Sequence, residues 1–167
     1  LVAINSFNYN LVNDIGNQSK SLLGADLKIS GNKALNASLT QIVDSLPGEQ
    51  AIEQEMFSMA YIPSTSETQF VRIKAVEGNF PFYGEIKSNP ATAVYEYQNN
   101  GTALVDVGLM LEQDLSVGDS IKLGEKMFLI SGKVDGAFGS ISLGSGFAPV
   151  VYIPSNIIDE TNLIKPG

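Results

Sequence analysis

Arg72 and Lys74 alternate with Val71, Ile73 and Ala75 in the run Phe70-Val71-Arg72-Ile73-Lys74-Ala75-Val76. A period of two puts the charged side chains on one face of an extended segment and the apolar ones on the other. One wet face and one dry face fit an antiparallel sheet. Gln69–Glu77 and Ile52–Ile62 read as two strands, and Pro63-Ser64-Thr65-Ser66-Glu67-Thr68 between them reads as a polar hairpin tip. A chain carrying this hairpin must also supply an apolar layer for its dry face.

The composition can supply that layer. Apolar residues make up 44% of the 167 positions and charged residues 17%, which suits one ordinary domain or two small lobes. Ten Lys and Arg stand against 18 Asp and Glu, a net charge of −8 that repels nucleic acid and anionic lipid surfaces. Cys, His and Trp are all absent. That removes cysteine–histidine zinc sites, haem ligation and iron–sulfur clusters, along with Ser-His-Asp triads, Cys nucleophiles and His general bases. Carboxylates, Lys, Tyr and Ser remain for chemistry.

Ile4, Phe7, Leu11, Ile15, Gln18 and Leu22 recur at helical spacing and predict a helix over 6–23, stopped by Gly24. Ala25, Leu27 and Ile29 alternate with polar residues and predict a strand over 25–30. Leu39, Ile42, Val43 and Leu46 mark a short amphipathic helix, with Asn36 as N-cap and Pro47-Gly48 as its end. Gly78-Asn79-Phe80-Pro81-Phe82-Tyr83-Gly84 is an aromatic loop. Composition shifts after Ser88, and Asn99-Asn100-Gly101 signals a turn. A short helix is expected over 105–115, capped by Asp106. A hairpin then turns at Gly124-Glu125, joining 120–123 to 126–134. A glycine-rich loop over 136–146 leads to an apolar strand over 148–153, closed by Pro154. Helices come early and short strands late, so the fold class is α+β.

The ends suggest a piece of something longer. The chain starts at Leu1 rather than Met, and Leu1-Val2-Ala3-Ile4 reads either as an ordinary helix start or as the end of a membrane helix lying upstream. Ile164-Lys165-Pro166-Gly167 reads as the approach to a turn. No run reaches the roughly 18 apolar residues that would span a bilayer.

Motifs for catalysis are weak. Ser30-Gly31-Asn32-Lys33 fits S-x-x-K, but Gly31-Asn32 makes a turn where that motif needs a helix, and neither S-D-N nor K-T-G follows. The glycines from Gly132 to Gly146 match no phosphate-binding pattern. Their companions Phe138, Ile141, Leu143 and Phe147 are apolar for a loop. They either tuck beneath the domain, the lower-cost arrangement, or present an adhesive surface. Asp14, Asp26, Asp44, Glu53, Glu55 and Glu77 are scattered and match no calcium loop, which leaves solvated surface as their default role. Asn17, Asn36 and Asn100 open N-x-[ST] triplets, common by chance in an Asn-rich chain. Phe80, Phe82 and Tyr83 read first as a packing hinge and second as a recognition cluster.

Several segments, in this order, resemble one family. Leu22-Leu23-Gly24-Ala25-Asp26-Leu27 is similar to the stretch after the first membrane helix of FtsX-like ABC transporter permeases. Val71-Arg72-Ile73-Lys74-Ala75-Val76-Glu77-Gly78-Asn79-Phe80-Pro81 resembles their "V-x-V-K-A-V-E-G-x-Y-P" segment, with Gly84-Glu85 following. The run over 111–124 resembles a short helix and then "L-x-V-G-D-x-I-x-L-G". Phe128-Leu129-Ile130-Ser131-Gly132 resembles "F-x-V-x-G", and Val151-Tyr152-Ile153-Pro154 the strand that returns. Each motif alone is weak; their order over nearly the whole chain is specific. The YbbP-like permeases are the nearest group, with MacB and the lipoprotein-releasing permeases LolC and LolE as cousins.

The resemblance implies a MacB-like periplasmic core domain. Its mixed α/β porter-like lobe and stalk helix would occupy 1–79, an inserted strand-rich sabre-like lobe 80–154, and a truncated return toward the porter lobe 155–167. It implies the periplasmic face of a bacterial inner membrane, as part of an integral membrane protein, and no catalysis: no catalytic residue, metal or cofactor. Its implied role is to pass ATP-driven motion to a substrate or partner protein, in lipoprotein or hydrophobic-compound export or other envelope processes. The implied partners are a cytoplasmic ABC ATPase, a second permease copy or paralogue, and a periplasmic protein or lipophilic substrate, but no nucleic acid. Phe80, Phe82, Tyr83, Phe138 and Phe147 are the candidate contact residues. Two rival readings are an independent envelope hydrolase using carboxylates or Ser and Lys, and a carbohydrate-binding or adhesion module. The second would need an exposed aromatic platform from Tyr83, Tyr95 or Tyr97.

Overall fold

The computed structural model describes residue 20 and residues 23–32, 36–135 and 148–164. The helix expected over 6–23 lies almost wholly outside these; Lys20 and Leu23 within it are helical. The glycine-rich loop over 136–146, with Phe138 and Phe147, also lies outside them.

The elements run α1 (Ala37–Ser45), β1 (Ile52–Ile62), β2 (Glu67–Glu77), β3 (Ser88–Asn89), α2 (Ala93–Asn100), β4 (Ala103–Asp106), α3 (Val107–Glu112), β5 (Ser120–Leu123), β6 (Lys126–Val134) and β7 (Val150–Pro154). Two 3₁₀ turns follow, Ser155–Ile157 and Asp159–Thr161. The fold is α+β.

The strands form one sheet in the order β3-β6-β4-β7-β2-β1-β5, and β5 also pairs with β6. That second pairing closes six strands into a ring, a small barrel with β3 appended to β6. Alternation then decides what fills it. Ala60 and Ile62, Val71, Ile73 and Ala75, Ala103 and Val105, Ile121 and Leu123, Phe128 and Ile130, and Val151 and Ile153 form one buried cluster. Each strand contributes every second residue, as a closed barrel requires. Leu109 and Met110 of α3 join this cluster with Leu115 near the β1–β2 turn, where Thr65 Oγ1 donates to Gln113 Oε1 at 3.1 Å. Ile158 joins it from the segment after β7, with Ile157 and Leu163 packed alongside.

The outer wall over β7, β4 and the Val76 end of β2 is covered by α2. Val76, Val150, Tyr152 and Leu104 pack there against Ala93 and Tyr97. A register shift between β4 and β6 serves this packing: Ala103 pairs with Ile130, but Leu104 pairs with Gly132. The extra residue turns β6 so that Gly132 and Val134 face α2 while Ile130 still faces inward.

The hairpin expectations hold: β1 pairs antiparallel with β2 along its whole length, and β5 with β6 around Gly124 and Glu125. Asn36 caps α1, its side chain accepting from Leu39 N–H at 2.9 Å. Three expectations need correction. Residues 27–30 take no regular structure, because no described strand pairs with them; Leu27 and Ile29 are exposed. The helix expected over 105–115 is strand to Asp106 and helix only from Val107 to Glu112, since Val105 is needed inside the barrel. Asp106 does cap that helix, accepting from Gly108 N–H at 2.8 Å. The turn signal at Asn99-Asn100-Gly101 is the C-terminal end of a helix, α2, that the sequence reading does not include: Gly101 takes φ 66°. Within this sheet β1 pairs with β5 and β2 with β7.

Candidate functional site

The helical segment at Lys20 ends at Gly24, whose N–H donates to the Lys20 carbonyl at 2.8 Å and whose φ is 70°. Only glycine reaches this left-handed geometry without strain. The turn leaves the Gly24 carbonyl free to face the aromatic loop. Phe82 N–H donates to it at 2.7 Å and Tyr83 N–H at 3.3 Å. Two residues on, Asp26 accepts the Tyr83 hydroxyl at 2.7 Å and the Lys20 ammonium at 2.7 Å. The ammonium also lies 5.3 Å from the centroid of the Tyr83 ring.

The three side chains shift one another's protonation. The hydrogen bond from Lys20, then that from Tyr83, holds the Asp26 carboxyl below the usual carboxylate range. The bond to Asp26 raises both the Lys20 ammonium and the Tyr83 phenol above their ordinary values. At neutral pH the group is therefore a carboxylate bridging a cation and a neutral phenol.

The loop is fixed at its base. Gly78 takes φ 89°, and a Cβ there would lie 2.9 Å from the Gln50 carbonyl oxygen. Gln98 of α2 donates to the Gly78 carbonyl at 2.9 Å, and Phe80 packs against the cluster under α2. A further tie lies on the outer face of β1 and β2. Lys74, only 5% exposed, sits 3.0 Å from Glu53 and 3.5 Å from Glu55. Lys28, from the segment after Gly24, reaches the same Glu53 at 3.6 Å. The segment over 24–28 is thus held to the barrel by backbone hydrogen bonds at one end and an ion pair at the other.

Of the contact residues named from sequence, Phe80, Phe82 and Tyr83 are half-buried: Phe82 and Tyr83 meet the helix end through their N–H groups, whereas Phe80 packs against the cluster under α2. Lys20, Gly24, Asp26 and Lys28 were not singled out as a site. Yet Gly24 and Asp26 belong to one resembling motif and Phe80 to the other, and the two motifs meet in space. The tyrosine platform does not form: Tyr97 is 1% exposed beneath the helix while Tyr95 is 78% exposed on its outer side. Ser30 is exposed on a segment without regular structure, and Lys33 lies outside the described residues. Among the described residues no three His, Cys, Asp or Glu side chains group as a metal site would need. No described helix is long and apolar enough to cross a membrane.

No family model matches the chain. It is 28% identical over 103 residues to an uncharacterized ABC transporter permease, YbbP, of Escherichia coli K12. That match covers 59% of this chain and only 12% of the permease. Two solved structures share the fold. One is a domain of a permease-like protein from Porphyromonas gingivalis, with a TM-score of 0.52 and 14% identity, covering 77% of this chain and 61% of that one. The other is the periplasmic region of MacB from Actinobacillus actinomycetemcomitans, with a TM-score of 0.50 and 11% identity, covering 80% and 60%. In sequence and in fold, then, the chain is similar to the family that its motifs resemble, the MacB-like periplasmic domains of ABC transporter permeases.

Proposed function

We propose that this chain is a periplasmic domain of an ABC transporter permease and catalyses nothing itself. Its work is mechanical: it takes up motion driven by a cytoplasmic ATPase and delivers it to a substrate or partner protein outside the membrane. The observation that carries this reading is the joint at Gly24. A stalk helix ending there would be coupled to the barrel through Phe82, Tyr83 and Asp26, with Lys28 and Glu53 as a second tie. Phe80, Phe82 and Tyr83 serve this joint. The porter-like and sabre-like division at 79 and 80 would place the joint where the two lobes meet. The relatives' names, which point to permeases, support the transporter component over an independent hydrolase or sugar-binding module.

The test uses the absence of cysteine in the chain. A single spin label at position 95, on the outer side of α2, would be introduced into the full-length permease assembled with its ATPase. The distance between labels in paired permeases should change between nucleotide-free and ATP-bound states. In Asp26→Ala/Tyr83→Ala the change should shrink, since only the backbone bonds to Gly24 and the Lys28–Glu53 tie remain, while ATP hydrolysis continues. A distance that ignores nucleotide in the unmodified joint would overturn the reading.

A further inference from the structure

The barrel has two kinds of outer wall. Over β7, β4 and the Val76 end of β2 the wall is covered by α2, whereas over β1, the start of β2, β5 and the first half of β6 no described helix lies on it. That bare wall is apolar. Phe57, Met59, Tyr61, Phe70, Met127 and Leu129 are all exposed on it, Phe57 at 58%. Register makes them one patch rather than scattered residues. Met59 pairs with Phe70, Tyr61 with Lys122, Lys122 with Met127, and Ser120 with Leu129. Phe57 and Phe70 stack on each other, with ring centroids 5.6 Å apart and planes 8° from parallel. A contiguous exposed patch with an aromatic pair and adaptable methionines marks an interaction surface.

Two cations lie on this face: Arg72, across from Phe57, and Lys122. Lys122 stands between Tyr61 and Met127, and none of the ion pairs among the described residues involves it. Ala60 and Tyr61 of β1 pair with β5 here, so at this end of the patch a partner binds through side chains. An isologous contact between two copies would set one Lys122 patch against another, bringing like charges into a desolvated centre. The chain's charge of −8 likewise disfavours an anionic lipid surface. We infer that the β1–β5–β6 wall docks a different protein, one presenting an apolar groove with a carboxylate that pairs with Lys122. The inference stands apart from the joint at Gly24 and does not depend on it.

A photo-crosslinking phenylalanine analogue at position 59 or 129, in the full-length parent protein in its own cells, tests this. Position 95 on α2 serves as the control. The expected result is an adduct from 59 and 129, absent from 95, to a protein other than this chain, with the crosslinked peptide rich in apolar residues and bearing Asp or Glu. Lys122→Glu should cut its yield about tenfold and Lys122→Gln less. Changing that partner carboxylate to Lys should restore the yield with Lys122→Glu. Adducts to a second copy, to phospholipid alone, or equally from position 95 would overturn the inference, as would no adduct or a yield indifferent to both Lys122 variants.

Discussion

The Tyr83 hydroxyl donates to the Asp26 carboxylate at 2.7 Å, joining two residues 57 positions apart in sequence. The same carboxylate holds Lys20, so one side chain links the helix end to the aromatic loop. Asp26 is depressed below its ordinary value of 3.8 by these partners. A depressed carboxyl contributes stability that is present above its unfolded value and lost as pH falls through its folded one. The tie should therefore persist at neutral pH and loosen only below about pH 3.8. Carboxyl chemical shifts should show Asp26 titrating below 3.8, and moving upward in Tyr83→Phe. Amide exchange at Phe82 and Tyr83 should quicken in the same variant. An unchanged Asp26 titration would show that the hydroxyl is not its partner.

Much of this was legible in the sequence where a rule is local. Strand signals place β1 and β2 within two residues of their ends, and Asn36 and Asp106 are legible as caps from residue type and position alone. Closure of the barrel was not legible, because it rests on β1 meeting β5 across some 60 positions. The same gap explains the strand expected at 25–30: Leu27 and Ile29 alternate correctly, but a strand exists only with a partner. Tyr95 and Tyr97 looked alike until α2 turned one outward and the other inward. The joint was half legible. Both its segments carried family motifs, but nothing local says that Asp26 faces Tyr83.

Gly132 marks the closest approach of α2 to the barrel. A Cβ there would lie 2.6 Å from the Ala93 Cβ and 3.2 Å from Leu104 Cδ2. Gly132→Ala should destabilise by about 1–3 kcal/mol, the usual cost of overpacking, a fall of roughly 2–4 °C in melting temperature per kcal/mol. Ala93→Gly in the same chain should recover part of the loss. A double-mutant cycle with no coupling would mean that the two atoms do not meet.

Tyr97 supplies an alkaline signature. Burial under the helix pushes its phenol well above the ordinary 10.0, and Gln98 donates to its oxygen at 3.4 Å. The folded state keeps the phenol neutral while the unfolded state ionises. A raised group contributes stability present below the unfolded value and lost as pH rises beyond it. Stability should therefore fall above about pH 10.0. Denaturant midpoints measured across that range should fall more steeply in the unmodified protein than in Tyr97→Phe. Parallel curves would place the phenol in contact with water.

Lys74 is nearly buried between Glu53 and Glu55. Removing one partner of such a pair leaves an uncompensated carboxylate, so Lys74→Met should cost about 3 kcal/mol. Glu53 keeps Lys28, which limits the loss. Adding Glu53→Gln should restore part of the stability, since the less exposed of the two carboxylates that lost Lys74 is then neutral. Urea unfolding of the three variants decides it, and an additive double variant would dissolve the coupling.

Gly124 joins two constraints at one atom. It takes φ 58° in the turn between β5 and β6, and a Cβ there would lie 2.0 Å from the Thr161 carbonyl oxygen and 3.0 Å from Leu163 Cγ. That carbonyl is already held by the Glu125 N–H at 2.9 Å, and Lys126 pairs with Glu160 alongside. The turn alone would charge a non-glycine residue about 1–2 kcal/mol for its left-handed backbone. The clash adds displacement of the tail, and with it the packing of Leu163 and Ile158 against the barrel interior. Gly124→Ala should therefore both lower the melting temperature and raise amide exchange selectively over 158–163. Gly118, also at positive φ but with open space around a Cβ, provides the control: Gly118→Ala should show the backbone strain without the tail release. If both variants release the tail equally, the contact between turn and tail is not what seats it.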